Sequence, residues 1–266
     1  ASRGQEPSPA VQKQIDAGLS TGINVLAYAT NRELKGKDEI PSQTTKRPDA
    51  ESVRRGTLFI ANLRHPGGCS AAPRALVNLM EAAAKEIKIP TGTEEHDLSI
   101  TDDAIFDYHL VFMHGRTAFR LTDRERKQLR LYIERGGMLF ANSICANKAF
   151  TESFRKEMAT LLSEYPLKPI PASDPIFSTK YGGFDLSKVT RRDPQARSAD
   201  EPIRDRRRSV PPELEGIRID DRYAVIFSRY DLSCALEKQN SLECQGYVRE
   251  DAARIGLNVV LYSLQE

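Results

Sequence analysis

The sequence predicts an α/β fold, a mostly parallel sheet with helices on both faces. Three observations predict it. From residue 56 onward, short apolar runs alternate with amphipathic helical runs. The runs "TLFIANL" (57–63), "YHLVFMHG" (108–115) and "MLFANS" (138–143) are apolar at most positions, as strands covered on both faces must be. The segment "LTDRERKQLRLYIERGG" (121–137) carries helix punctuation at both ends. Thr122 and Glu125 form a capping-box pattern, and Gly136–Gly137 supplies a C-terminal stop.

The elements follow in order. Residues 9–34 read as a helix, with Val11, Ile15, Leu19, Ile23, Leu26 and Ala29 near a 3.6-residue period. Residues 36–55 are a polar linker holding Pro41 and Pro48. Residues 1–55 thus read as an N-terminal helix and linker without a core of their own, fitting the terminal helix of a preceding domain. Residues 56–266 form the α/β domain. Within it, "AAPRALVNLMEAAAKEI" (71–87) is an amphipathic helix with Pro73 near its start. The run "AFTESFRKEMATLLSEY" (149–165) is a helix capped by Thr151. "YAVIFS" (223–228) is a strand paired with "IRI" (217–219) across Asp220–Asp221, and a helix over 247–264 closes the chain.

Residues 185–216 interrupt this alternation. They hold Arg191, Arg192, Arg197, Arg204, Arg206, Arg207 and Arg208 among interspersed acids, and read as a solvated surface excursion. One internal echo stands out. "GINVLAYAT" (22–30) matches "GLNVVLYSL" (256–264) at the glycine, asparagine, first valine and tyrosine, which suggests related helices.

Composition narrows the function. The 266 residues carry 39 Lys plus Arg against 37 Asp plus Glu, a net charge of +2. That balance gives no global attraction to nucleic acid, and no aromatic-studded basic surface is evident. No apolar stretch of about 18 residues is present, so no transmembrane segment is expected. A chain beginning at Ala1 suggests removal of something upstream. The four cysteines, Cys69, Cys145, Cys234 and Cys244, allow three disulfide connectivities and form no CxxC pair. Dinucleotide, phosphate-loop, HExxH and GxSxG motifs are missing, so no cofactor is expected.

An open parallel sheet binds ligands beyond the carboxyl ends of its strands. His65, Cys69, His114, Arg116, Ser143, Cys145, Tyr230, Asp231 and Cys234 all follow strands. Cys145, on a strand-to-helix turn, is the candidate nucleophile, with His114 as base and Asp231 as its polar partner. Candidate ligand-binding residues are His65, Gly67, Gly68, Arg116, Ser143 and Tyr230, because glycine turns admit close backbone approach. Each has a plainer reading: Cys145 as a buried thiol, His114 as a histidine satisfied by backbone, Asp231 as a turn cap. His109 reads as structural and His96 as exposed. Zinc-compatible chemistry exists in His65, Cys69, His114, Cys145 and Cys234, but no local spacing supports a site and no metal is assigned.

The run "FMHGRTAFRLTDRERKQLRLYIERGGMLFANSICANKAFTESFRKEM" (112–158) resembles the bacterial domain-of-unknown-function family DUF4159. The resemblance extends through "FIANLRHPGGCSAAPRALVNLM" (59–80), "SRYDLSCALE" (228–237) and "YVREDAARIGLNVVLYSL" (247–264). It implies a three-layer, flavodoxin-like sandwich of the class I glutamine-amidotransferase-like superfamily. It also implies an exported protein of the periplasm or cell envelope. In that superfamily a nucleophilic cysteine sits at a strand–helix elbow, where Cys145 corresponds. However, "NSICANK" lacks the GxCxG pattern, and "SRYDLSCALE" offers Asp231 without a histidine. The expectation is therefore a noncatalytic module that binds a small ligand or a protein partner. The alternative is a cysteine-dependent hydrolase using Cys145 with His114.

Overall fold

The computed structural model describes residues 57–92, 97–194, 204–238 and 244–265. Every described residue belongs to the unit spanning residues 47–266. The expected helix over 9–34, the linker over 36–55, the first copy of the echo and His96 lie outside the described residues.

The strands are β1 (Ala61–Arg64), β2 (Asp97–Ser99), β3 (Leu110–Gly115), β4 (Met138–Ser143), β5 (Lys168–Pro169), β6 (Val189–Arg192), β7 (Arg207–Val210), β8 (Glu215–Ile219), β9 (Arg222–Ser228) and β10 (Gly246–Tyr247). The helices are α1 (Ala75–Ala82), α2 (Asp123–Glu134), α3 (Lys148–Leu161), α4 (Ser233–Leu236) and α5 (Arg249–Ser263). A seven-stranded sheet runs β2-β1-β3-β4-β9-β8-β5. Its first five strands are parallel, and β8 and β5 add antiparallel at one edge.

Two apolar layers enclose this sheet, because successive side chains point to opposite faces. Leu110, Phe112, Met138, Phe140 and Ile226 face one layer with Leu79 of α1, Leu236 of α4 and Ile255 and Val259 of α5. Val111, Met113, Leu139, Ala141, Val225 and Phe227 face the other with Leu129 and Ile133 of α2 and Phe150, Phe154 and Met158 of α3. Every residue of β3 and β4 is buried, which explains their unbroken apolar runs. The result is the expected α/β sandwich: a mostly parallel sheet between two helical layers. Among the described residues, no helix is long and apolar enough to cross a membrane.

The capping box of α2 forms as the sequence predicts. Thr122 accepts from the Glu125 N–H, and Glu125 accepts from the Thr122 N–H. Asp220 takes a left-handed conformation (φ 54°) in the β8–β9 turn. In α5, Gly256 has a packing reason, since a Cβ there would lie 2.7 Å from Leu79 Cδ1. Asn258 has a polar one. Its Oδ1 accepts from the Phe184 N–H at 2.8 Å, and its Nδ2 donates to the Ile176 carbonyl at 2.8 Å.

Two expectations need correction. Thr151 does not cap α3. The cap is Asn147, which accepts from the Phe150 N–H at 3.0 Å, and Thr151 is buried inside the helix. The helix starts earlier because a short turn over Ile144–Ala146 brings Asn147 to the entry. The Arg-rich stretch within 185–216 is not wholly a solvated excursion either. β6 pairs antiparallel with β7 and β10 in a second, three-stranded sheet. Arg191, Arg192 and Asp193 are buried. Arg191 pairs with Asp193 and with Glu213, and its guanidinium lies 4.0 Å from the Tyr230 ring centroid. Paired and stacked in this way, an arginine tolerates burial that an isolated charge would not.

Candidate functional site

Strands β1, β3, β4 and β9 deliver their carboxyl ends to one edge of the sheet, and the residues singled out there are tied together mainly by their own polar groups. The turn after β1 folds on itself. His65 is buried, and its Nδ1 accepts from the Gly67 N–H at 3.0 Å. Its Nε2 therefore carries the proton and donates to the His114 carbonyl at 2.9 Å. Burial, helped by the charge of a protonated His114, drives the His65 pKa down to about 4. The Gly67 carbonyl accepts from the Arg116 and Thr117 N–H groups at 2.9 and 3.1 Å. Gly68 holds φ +81°, a conformation that suits glycine. Arg116 is exposed. The backbone of this glycine turn is thus engaged within the protein itself.

His114 closes β3. It is buried, and burial lowers its pKa, opposed by a hydrogen bond to the Cys69 carbonyl. That bond runs from Nε2 at 2.6 Å. Its Nδ1 lies 3.1 Å from Ser233 Oγ. The Ser233 hydroxyl also reaches Asn142 Oδ1 at 2.8 Å. Asn142 is fully buried and acts as a clasp between β4 and the turn after β9. Its Nδ2 donates to the Ser228 and Tyr230 carbonyls at 3.2 and 2.8 Å. Its Oδ1 accepts from the Leu232 and Ser233 N–H groups at 3.2 and 3.1 Å. Sequence reasoning passed over Asn142. The available signal was an amide inside the apolar run of β4, because a buried polar side chain must find partners. Ser143, next along, is buried and donates to the Asn147 carbonyl at 3.0 Å.

Asp231 is the most enclosed charge-bearing group at this edge, at 0% exposure. Its Oδ1 accepts from the Cys145 and Cys234 N–H groups at 2.9 and 3.2 Å, and its Oδ2 from the Ala235 N–H at 3.2 Å. Burial pushes its pKa up, and the three N–H bonds pull it back. The carboxylate thus serves as the cap of α4 and as an anchor for the β4–α3 turn. In that turn Cys145 and Ala146 take successive left-handed conformations, φ 53° and 52°. Non-glycine residues pay roughly 1–3 kcal/mol each for this, and here the Asp231 bond holds the first in place.

The sulfurs gather beside it. Cys145 is disulfide-bonded to Cys244, 99 residues away, and Cys234 Sγ lies 3.5 Å from Cys145 Sγ. Cys69 and Cys234 lie outside the disulfide. Burial and the neighbouring Asp231 push Cys234 up to about 12. Disulfide-bonded Cys145 has no thiolate, and both His114 ring nitrogens face other partners. The structure therefore places Cys145 and Asp231 together through a backbone bond, while the His114 ring is bonded to Ser233 and the Cys69 carbonyl.

Tyr230 lies between two guanidiniums, Arg191 at 4.0 Å and Arg229 at 4.5 Å from its ring centroid. Arg229 also donates to the Tyr230 hydroxyl at 2.6 Å. Beside Tyr230 opens a cleft of about 350 Å³ lined by Lys148, Glu152, Arg155, Arg229 and Gln245. Only Tyr230 among the expected ligand-binding residues lines it. Sequence reasoning missed the helical contributors because α3 reaches the cleft from the far side of the β4–α3 turn.

Residues 59–264 match the family described as Domain of unknown function (DUF4159), a span covering most of the chain. A crystal structure of a ThuA-like protein from Bacteroides uniformis aligns over 79% of this chain and 91% of its own, at 12% identity and a TM-score of 0.32. No curated protein matches.

Proposed function

The chain belongs to the DUF4159 family, and from that premise we propose that it is a noncatalytic ligand-binding module with an amidotransferase-like fold. One observation carries this reading: the groups best suited to catalysis are already satisfied by fixed internal partners. Asp231 holds three backbone N–H groups, and the ring nitrogens of His114 face Ser233 and the Cys69 carbonyl. A general base must reach the proton it removes, and neither group presents a free basic atom to a substrate. The ligand position is the cleft beside Tyr230, lined by Lys148, Glu152, Arg155 and Arg229, with Arg155 and Arg229 already paired to Glu215 and Glu213. Lys148 and the remaining N–H groups of the two arginines would receive a small anion such as a carboxylate or phosphate.

The test has two arms. Purified protein is incubated with glutamine, simple amides and activated esters, and then titrated with small carboxylates and phosphates under NMR observation. The expected result is no turnover above background and shifts confined to Lys148, Arg229 and Tyr230. Turnover that disappears in His114→Gln would overturn the reading, as would ligand shifts that bypass the cleft.

A further inference from the structure

We propose that the reduced chain holds a zinc-class divalent cation on Cys145, Cys234, Cys244 and Asp231. The three sulfurs and a carboxylate oxygen all lie within 4.8 Å of one another. They arrive from three segments distant in sequence: the turn after β4, the entry to α4 with its second residue, and the residue two before β10. A tetrahedral zinc with Zn–S near 2.3 Å would set its sulfurs about 3.8 Å apart. Cys145 and Cys234 already stand at 3.5 Å, so the cluster has the scale of such a site. Three of the four ligand residues are buried and Cys145 is partly so. Three soft sulfur donors with one oxygen select zinc over calcium or magnesium.

The surroundings fit this ion better than they fit the donors alone. Asp231 Oδ2 takes one backbone N–H against two on Oδ1, and the Cys234 sulfur now hydrogen-bonded to this carboxylate gives up its proton when a metal binds, while the bonds to Oδ1 hold the carboxylate in position. Arg192 is 8% exposed, and its buried Nε has no hydrogen-bond partner. Its charge acts on both Asp231 and Cys234, and that of Arg116 also acts on Cys234. Three thiolates, one carboxylate and one divalent ion sum to −2. The negative centre would add to the Asp231 charge that this buried guanidinium already feels. His65 and His114 take no part, because their ring nitrogens are directed elsewhere. Four protein ligands would close the coordination sphere, as in a structural rather than a catalytic zinc site. The inference stands independently of ligand binding at the Tyr230 cleft.

The disulfide and the metal are alternative states of the same sulfurs. A phosphine reductant attacks one sulfur of Cys145–Cys244. Water then supplies the oxygen of the phosphine oxide and the two protons of the released thiols. The cation next binds the three sulfurs as they give up their protons. Which state prevails follows the redox poise of the compartment.

The full chain is reduced anaerobically with a phosphine, its fold is checked by circular dichroism, and Co²⁺ is titrated in. The expected result is one equivalent bound, with an intense thiolate-to-cobalt band and visible bands of a tetrahedral ion, both erased by Zn²⁺. Cys234→Ser and Cys244→Ser should each weaken zinc by about 100-fold or more, and Cys69→Ser should leave the titration unchanged. Arg192→Gln should weaken it by about tenfold while keeping the tetrahedral spectrum. A folded, reduced chain without the thiolate band overturns the proposal. So does a band that survives unchanged in both Cys234→Ser and Cys244→Ser, or a reduced chain that unfolds and is not refolded by cobalt or zinc.

Discussion

Acidification should destabilise this protein through His65 before its carboxylates dominate. The buried ring accepts from the Gly67 N–H through Nδ1. A second proton would have to enter at that nitrogen, placing two donors face to face. Burial is the main cause that holds the folded pKa at about 4 against an ordinary 6.5. In the unfolded chain the imidazole takes up its proton first as pH falls. The stability supplied by neutral His65 is therefore full above about pH 6.5 and is lost as pH descends toward about 4. At roughly 1.4 kcal/mol per pKa unit, the loss is about 2 kcal/mol by pH 5 and about 3 kcal/mol by pH 4. Urea unfolding at several pH values, for wild type and His65→Gln, isolates this contribution from the carboxylates common to both. Gln keeps a donor for the His114 carbonyl but does not titrate. It should cost stability near neutrality by orphaning the Gly67 N–H, and the gap to wild type should narrow as pH falls. A gap that stays constant from about pH 8 to 4, or an NMR titration of the His65 ring centred near 6.5, would refute the reasoning.

Two further predictions concern packing and charge. In Gly115→Ala, the added methyl would sit 2.4 Å from the Gly67 carbonyl oxygen and 2.4 Å from Phe150 Cε2. Overpacking of this kind should cost about 2 kcal/mol, read as a fall of about 5 °C in melting temperature, and an unchanged melt would mean that the glycine turn moves freely. Arg191→Met should cost about 3 kcal/mol by urea unfolding, because Glu213 and the buried Asp193 lose a shared cation. A loss under about 0.5 kcal/mol would place the pair with exposed salt bridges instead.

The parts of this molecule legible in sequence are those determined by local pattern. β3 and β4 announce themselves because both faces are covered, and α2 because its capping residues are three positions apart. Thr151 misleads for the same reason: a threonine near a helix start satisfies the local rule, while Asn147 lies beyond a turn whose left-handed backbone no pattern signals. The Arg-rich stretch misleads because the partners of Arg191 include Glu213 and Tyr230, which only the folded chain brings near. At the candidate site, chain order shows that Cys145, His114 and Asp231 follow strands. It does not show that Asp231 grips the backbone of Cys145, or that Cys244 comes to meet it, since these contacts span 86 and 99 residues.

The ends of the large sheet bear on how this chain behaves at high concentration. An open sheet presents unpaired N–H and carbonyl groups at its outermost strands, a template for joining one molecule to the next. Here one border is β5, two exposed residues, a lysine followed by a proline that has no N–H to donate. The other is β2, three residues beginning with Asp97. Among the described residues both borders are short and polar, and so are poor templates for a neighbour's strand.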